Sequence, residues 1–167
     1  VMRLNSRYVL SGMESDKLKI TLATNNRVAK NINDTHMAEL DGEEFVYTAE
    51  SEGDIRNLKD SVDNELLLKV GAQVMFTKND SAGRWVNGTL GIVVHLSDDR
   101  IDVEIEDEGV VNVEKTTWEV VEQEYDREKR ACVRNVVGKL HQYPLRLAWA
   151  ITIHKSQGMT FDRVAVD

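Results

Sequence analysis

Apolar and polar positions change rhythm along the 167-residue chain. Residues 17–24 (KLKITLAT) are a short run rich in Ile and Leu, which predicts a buried parallel strand. The run ends in Thr24-Asn25-Asn26, residue types that commonly cap helices. Apolar residues then stand at 28, 29, 32, 37 and 40, a spacing that keeps one helical face apolar until Asp41-Gly42 stops it. Strand, capped turn and helix make half of a βαβ unit. Residues 44–50 predict a second strand, and the polar stretch 51–65 a short helix or a loop at a domain edge.

After Leu66 the texture becomes that of short strands between turns. Residues 68–77 (LKVGAQVMFT) alternate in part. Asn79 to Gly83 is a turn cluster, and Asn87-Gly88 is a hairpin signal followed by the apolar run 89–96 (TLGIVVHL). Residues 101–105 (IDVEI) alternate strictly, so one face is expected buried and the other wet. Asp107-Glu108-Gly109 turns again, residues 110–113 and 118–121 follow, and the alternating stretch 127–141 closes the region. Regularly spaced short strands predict a small antiparallel barrel. Past Pro144, the only proline, residues 145–153 (LRLAWAITI) read as one buried strand, and residues 163–166 begin another. An α/β layer is therefore expected at both ends of the chain, with an antiparallel unit between them.

Composition narrows the setting. With 41% hydrophobic and 30% charged residues the chain is globular, and no apolar stretch approaches a membrane span. The first ten residues carry Arg3, Asn5 and Arg7 and do not read as a secretion signal. One cysteine, Cys132, cannot staple the fold, so a reducing, cytoplasmic location is expected. The four histidines are dispersed, without metal-ligand spacing, so no metal site is expected. The net charge of −8 speaks against a polyanion partner, but its distribution does not. Residues 98–126 hold twelve Asp/Glu and two Arg/Lys, whereas residues 127–155 hold seven Arg/Lys and one Glu. Such asymmetry fits a polyanion-facing surface or two solvated faces of opposite sign.

The chemistry concentrates in residues 148–162 (AWAITIHKSQGMTFD). A buried strand would deliver Thr152, His154, Lys155, Ser156 and Gln157 to one turn, and Gly158 would let backbone approach a ligand. Hydroxyls, backbone N–H groups and a lysine at a helix start suit phosphate oxygens at the carboxyl end of a parallel strand. The other reading is a capped strand-to-helix turn with solvated Lys155 and Gln157.

These residues resemble motif V of RecD-like and PIF-type superfamily-1 helicases, which are 5′→3′ DNA motors. Residues 22–26 with Val28, Ile32 and Asn33 resemble the family's motif IV region. Residues 69–79 (KVGAQVMFTKN) with 86–91 (VNGTLG) resemble its inserted SH3-like subdomain. The three landmarks, in the family's order, cover most of the chain. The resemblance implies an α/β fold: a partial RecA-like (P-loop NTPase-type) second motor domain, 1–65 and 143–167, with a small antiparallel SH3-like β-barrel inserted at 66–142. It also implies an ATP-dependent helicase that translocates on single-stranded DNA. Ser156, Gln157 and Gly158 would face nucleotide phosphates. Thr24, Asn25, Asn26, Thr152, His154 and Lys155 would face DNA, as would Lys78, Arg84 and Trp85 on the inserted unit, although Trp85 reads equally well as a barrel core residue.

The chain contains no G-x-x-x-x-G-K-[ST] phosphate loop, and residues 101–108 (IDVEIEDE), which imitate a strand ending in metal-binding acids, read better as a half-exposed strand and a hairpin turn. The family's arginine motif would fall beyond Asp167. The chain is therefore expected to be a truncated portion of the motor. It would not hydrolyse ATP alone, with ATP and Mg²⁺ used only by the full-length protein and the N-terminal RecA-like motor domain as its partner. The contrasting expectation is a stand-alone SH3-like binding module for protein or single-stranded nucleic acid, which would not need the turn at His154 to Gly158.

Overall fold

The computed structural model describes residues 18–58, 62–106, 108–126, 131–159, 161 and 163–166. The expectations for the first ten residues, for Asp107 in its turn and for residues 127–130 of the basic stretch lie outside the described residues.

Strand β1 (Ile20–Ala23) is the centre of a three-stranded parallel sheet. Its neighbours come from the far end of the chain: β12 (Ala150–Thr152) on one side and β13 (Val164–Val166) on the other. Helix α1 (Asn26–Glu39) follows β1 and packs Ala29, Val28 and Ile32 against Ala23 and Ala150. Asn25 caps it, its Oδ1 accepting the Val28 N–H at 3.0 Å. At the other end Lys69 Nζ donates to Leu40 O at 3.0 Å. The helix thus begins and ends where the sequence places it.

Among the described residues, everything between α1 and β12 is strand, turn and loop. In chain order come β2 (Phe45–Thr48), β3 (Glu50–Gly53), a 3-10 turn (Arg56–Leu58), β4 (Glu65–Leu68), β5 (Gln73–Phe76), β6 (Leu90–Ser97), β7 (Arg100–Ile105), β8 (Gly109–Val113), β9 (Thr116–Asp126), β10 (Ala131–Gln142) and β11 (Leu145–Leu147). They form three antiparallel ladders: β11-β5-β6-β7-β8, β3-β10-β9 and the pair β2-β4. The five-stranded sheet and the β2-β4 pair supply most of the largest core, which includes the fully buried Leu68, Val74, Phe76, Val93, Ile101 and Val103. Each such side chain contributes about 1.5–3 kcal/mol on burial.

Four expectations need correcting. Residues 145–153 are not one strand: β11 pairs with β5 in the antiparallel sheet, and only β12 enters the parallel one. An apolar run carries no mark of which sheet buries it. The polar stretch 51–65 does hold a short helix, the 3-10 turn Arg56–Leu58, but it also supplies most of β3, which is exposed throughout and so shows no hydrophobic period. The alternating segment within 127–141 lies in β10, which pairs with β9 and β3 rather than with the five-stranded sheet. In β7, Asp102 is not on a wet face. It is buried, ion-paired to Arg100 at 2.9 Å and bonded by Asn112 Nδ2 at 3.0 Å. The Arg100 guanidinium holds its carboxyl below the ordinary carboxylate range. β7 remains an interior strand of the antiparallel sheet, flanked by β6 and β8.

Two side-chain amides join the layers. Buried Gln73 donates from Nε2 to Lys19 O at 2.9 Å and to Ala148 O at 2.8 Å, while its backbone carbonyl accepts the Ala148 N–H at 3.0 Å. Asn33 of α1 treats the open edge of β12 as a neighbouring strand would: Nδ2 donates to Ala150 O at 2.9 Å, and Oδ1 accepts the Ala150 N–H at 2.8 Å. At the crossing, His36 of α1 stacks on Trp149 with ring centres 5.3 Å apart.

Gln73→Met keeps the volume and removes the donor, leaving two carbonyls short of a partner. It is expected to lower unfolding free energy by about 1–3 kcal/mol. Lys30→Ala, which breaks only the exposed 2.7 Å pair with Asp34, should stay within about 0.5 kcal/mol. Urea midpoints compare the two; equal midpoints would remove Gln73 from its joining role.

Candidate nucleic-acid and phosphate interface

The site grows from strand register. Ala23 and Thr152 are partners across β1 and β12, so the chain leaves both strands at the same rim of the parallel sheet. Thr24, Asn25 and Asn26 emerge from one strand, and Ile153 to Gly158 from the other. Carboxyl ends of parallel strands are where open α/β sheets bind ligands.

Thr152 is buried at the rim. Ile153–Ser156 then make a single 3-10 turn, in which Ser156 Oγ donates to Ile153 O at 2.7 Å. The expected helix start is absent, so no helix dipole faces a ligand here. Next, Met159 N–H donates to Ser156 O at 3.1 Å. With Gln157 at φ −61°, ψ 128° and Gly158 at φ 79°, residues 156–159 form a type II turn. Gly158 is therefore required by the turn itself, not only by a ligand's approach. Nothing stands within 4 Å of where its Cβ would be, so the turn faces open space. His154 and Gln157 are exposed, Lys155 and Ser156 half-buried.

Below the rim lies a groove of about 810 Å³ between α1, β4 and β12. Asn26, Thr152 and Lys155 line it together, so the structure brings one residue of the first cluster beside two of the second. Apolar Ala29, Met37, Leu66 and Ile151 also line it. Its charged residues, Lys30, Lys69, Arg146 and Lys155 against Asp34, Glu44, Asp63 and Glu65, balance in number. Lys30 is already paired with Asp34.

Asn33, named in the sequence only as part of the motif IV resemblance and given no role, lines the groove and holds β12. The signal was there: 29, 33 and 37 share one helical face, and a polar residue on a buried stripe needs a partner.

The second predicted cluster is different. Lys78, Arg84 and Trp85 do not line the groove. Lys78 Nζ donates to Thr117 O at 2.7 Å and lies 5.3 Å from the Trp118 ring centre. Arg84 is held by Asp80 through two 2.9 Å bonds and covers Trp85 at 4.4 Å. Trp85 is only 6% exposed and stacks on Phe76 at 4.4 Å. Of the two readings of Trp85, base-stacking surface or core residue, its burial between Arg84 and Phe76 fits the core one. Arg84 also pulls the Asp80 carboxyl down to about 2.

Among the described residues, no three His, Cys, Asp or Glu side chains gather as a metal site, and no helix is long and apolar enough to cross a membrane.

No protein-family model matches the chain. Named relatives do. It is 38% identical over 144 residues to the ATP-dependent DNA helicase Pif1 of Bdellovibrio bacteriovorus, an alignment covering 83% of this chain and 31% of that protein. Among solved structures, Bacteroides Pif1 in complex with ADP-AlF4 superposes with a TM-score of 0.80 at 34% identity, over 90% of this chain and 34% of that one. Bacteroides Pif1 bound to ssDNA gives 0.75 at 32% identity, over 99% and 38%. Homologues named as ATP-dependent DNA helicases thus cover nearly all of the chain, and the chain spans about a third of their length.

Two outcomes follow from the turn chemistry. Gly158→Ala forces an L side chain into the left-handed region and should cost about 1–2 kcal/mol, with Gly158→Asn costing less; thermal melts compare them. Asp80 titrates lower in the folded chain than its ordinary 3.8. Its contribution is therefore complete above pH ~4 and is lost as pH falls toward ~2. Between those limits the Tm of Asp80→Asn should fall less steeply than that of the parent; parallel curves would show that the Arg84 pair stabilises nothing.

Proposed function

We propose that this chain is the greater part of the second motor domain of an ATP-dependent DNA helicase that translocates on single-stranded DNA and unwinds duplex. In this reading residues 1–65 and 143–167 belong to a RecA-like motor domain, whose parallel sheet is β1, β12 and β13. Residues 66–142 are an SH3-like unit inserted into it. The observation that carries the reading is the shared rim: register places Thr24–Asn26 and Thr152–Gly158 side by side at the carboxyl ends of β1 and β12, at the mouth of a groove.

In this reading Thr24, Asn25, Asn26, Thr152, His154 and Lys155 face the DNA backbone. Ser156, Gln157 and Gly158 face nucleotide phosphates across a cleft shared with the N-terminal RecA-like motor domain of the same protein. The open turn at Gly158 and the exposed Gln157 amide fit that role. Ser156 fits it as an acceptor, since its hydroxyl hydrogen is given to Ile153 O. Bound ATP with Mg²⁺ would supply the phosphoryl-transfer energy. This chain would hold one wall of the site and fix the geometry of the corner, because the phosphate loop, the Mg²⁺ ligands and a charge-stabilising arginine must act together. The protein would work in the cytoplasm. A stand-alone SH3-like binding module has no use for the rim, which favours the motor reading.

Two measurements test this. In the full-length protein, Lys155→Ala should weaken single-stranded DNA binding and lower the steepness of its salt dependence by about one unit. The chain by itself should release no phosphate from ATP with single-stranded DNA present. Turnover by the isolated chain that Lys155→Ala abolishes would overturn the proposal.

A further inference from the structure

We infer that Met159 is a positioning residue that seats the polar corner on the Asn87–Gly88 turn, so that the setting of the corner toward its ligands depends on the antiparallel unit. This rests on the motor reading above. Met159 is tied to the corner by its backbone, whose N–H closes the type II turn on Ser156 O. Its side chain points the other way. A Cβ placed on Gly88 would stand 3.3 Å from Met159 Cγ, 3.4 Å from its Cβ and 3.5 Å from its Sδ. Gly88 is buried at φ 98°, a conformation and a contact that only glycine accommodates without strain.

The seat is rigid. Gly88 N–H donates to Phe76 O at 2.8 Å, and Phe76 N–H to Thr89 O at 2.9 Å. Asn79 Oδ1 accepts the Asn87 N–H at 2.7 Å, and Thr89 Oγ1 accepts the Val86 N–H at 3.1 Å. Around it Met159 and Phe161 pack with Leu90 and Met75 of the antiparallel sheet and with Ile20 and Ile151 of the parallel one. The corner is thus held by a small core that both layers build. A shift of the Asn87–Gly88 turn moves Met159, and Met159 moves the carbonyl of Ser156.

The test uses the full-length protein with wild type, Gly88→Ala, Met159→Ala, Met159→Leu and the double variant Gly88→Ala/Met159→Ala. Melting curves report folding, and DNA-stimulated phosphate release gives kcat and the KM for ATP. Gly88→Ala and Met159→Ala are expected to lower kcat about tenfold, as displacement of a reacting geometry does, with KM changed less than about twofold. Met159→Leu should retain about half of the wild-type kcat, since volume-conserving apolar swaps keep packing. The double variant should be no worse than the poorer single, because both changes break one contact. Multiplicative losses, an unchanged kcat in either single, or a Leu variant as poor as the Ala variant would overturn the inference. Should Gly88→Ala not fold, the Leu and Ala variants at 159 decide it. A wild type without DNA-stimulated turnover would instead sink the motor reading, and additivity of the same variants in melting would then decide whether the contact exists.

Discussion

The parallel sheet depends on β1 pairing with two strands that the chain supplies only after residue 149. Closing so long a loop costs entropy that grows only with the logarithm of its length, so the price in stability is modest. The price in folding rate is larger, because non-local pairing must wait for the intervening region to collapse. Backbone pairing alone does not say where β12 must start. The Gln73 and Asn33 amides mark it, since they bind the backbone carbonyls on either side of Trp149, Ala148 O and Ala150 O. The antiparallel region is therefore a template for the sheet it interrupts as well as a unit within the same chain.

What the sequence shows of this fold follows from whether burial leaves a period. α1 was legible because its cap, its apolar stripe and its stop signal all coincide at Asn25, Ala29 and Gly42. β1, β6 and β8 were legible as apolar runs between turns. β3 was not, because its backbone pairs while its residues stay exposed and show no apolar period. The division of residues 145–152 between two sheets was hidden too, as both halves are buried and apolar. Asp102 broke the alternation rule because a guanidinium and an amide replace the water it gives up.

The candidate site divides along the same line. The corner at His154 to Gly158 was readable, since polar types ending in glycine after a buried run mark a strand end. Its interior geometry was not: a glycine that serves a type II turn looks the same in sequence as one that makes way for phosphate. Lys78, Arg84 and Trp85 were open to two readings. A basic residue beside an aromatic suits nucleic acid, yet here the cations serve Asp80 and the Thr117 carbonyl, and the ring fills the core. Local composition cannot tell a surface from an interior that has found its own partners.

The crossing at Ala148 and Trp149 has a mechanical side. β11 ends at Leu147 and β12 begins at Ala150, so the two sheets are joined here by only two residues, with a bend at Trp149. A linker of Gly and Ser would absorb displacement as a spring does. A two-residue joint has no such length of chain to give, so a displacement of the five-stranded sheet is passed on through the bend at Trp149 to the parallel layer.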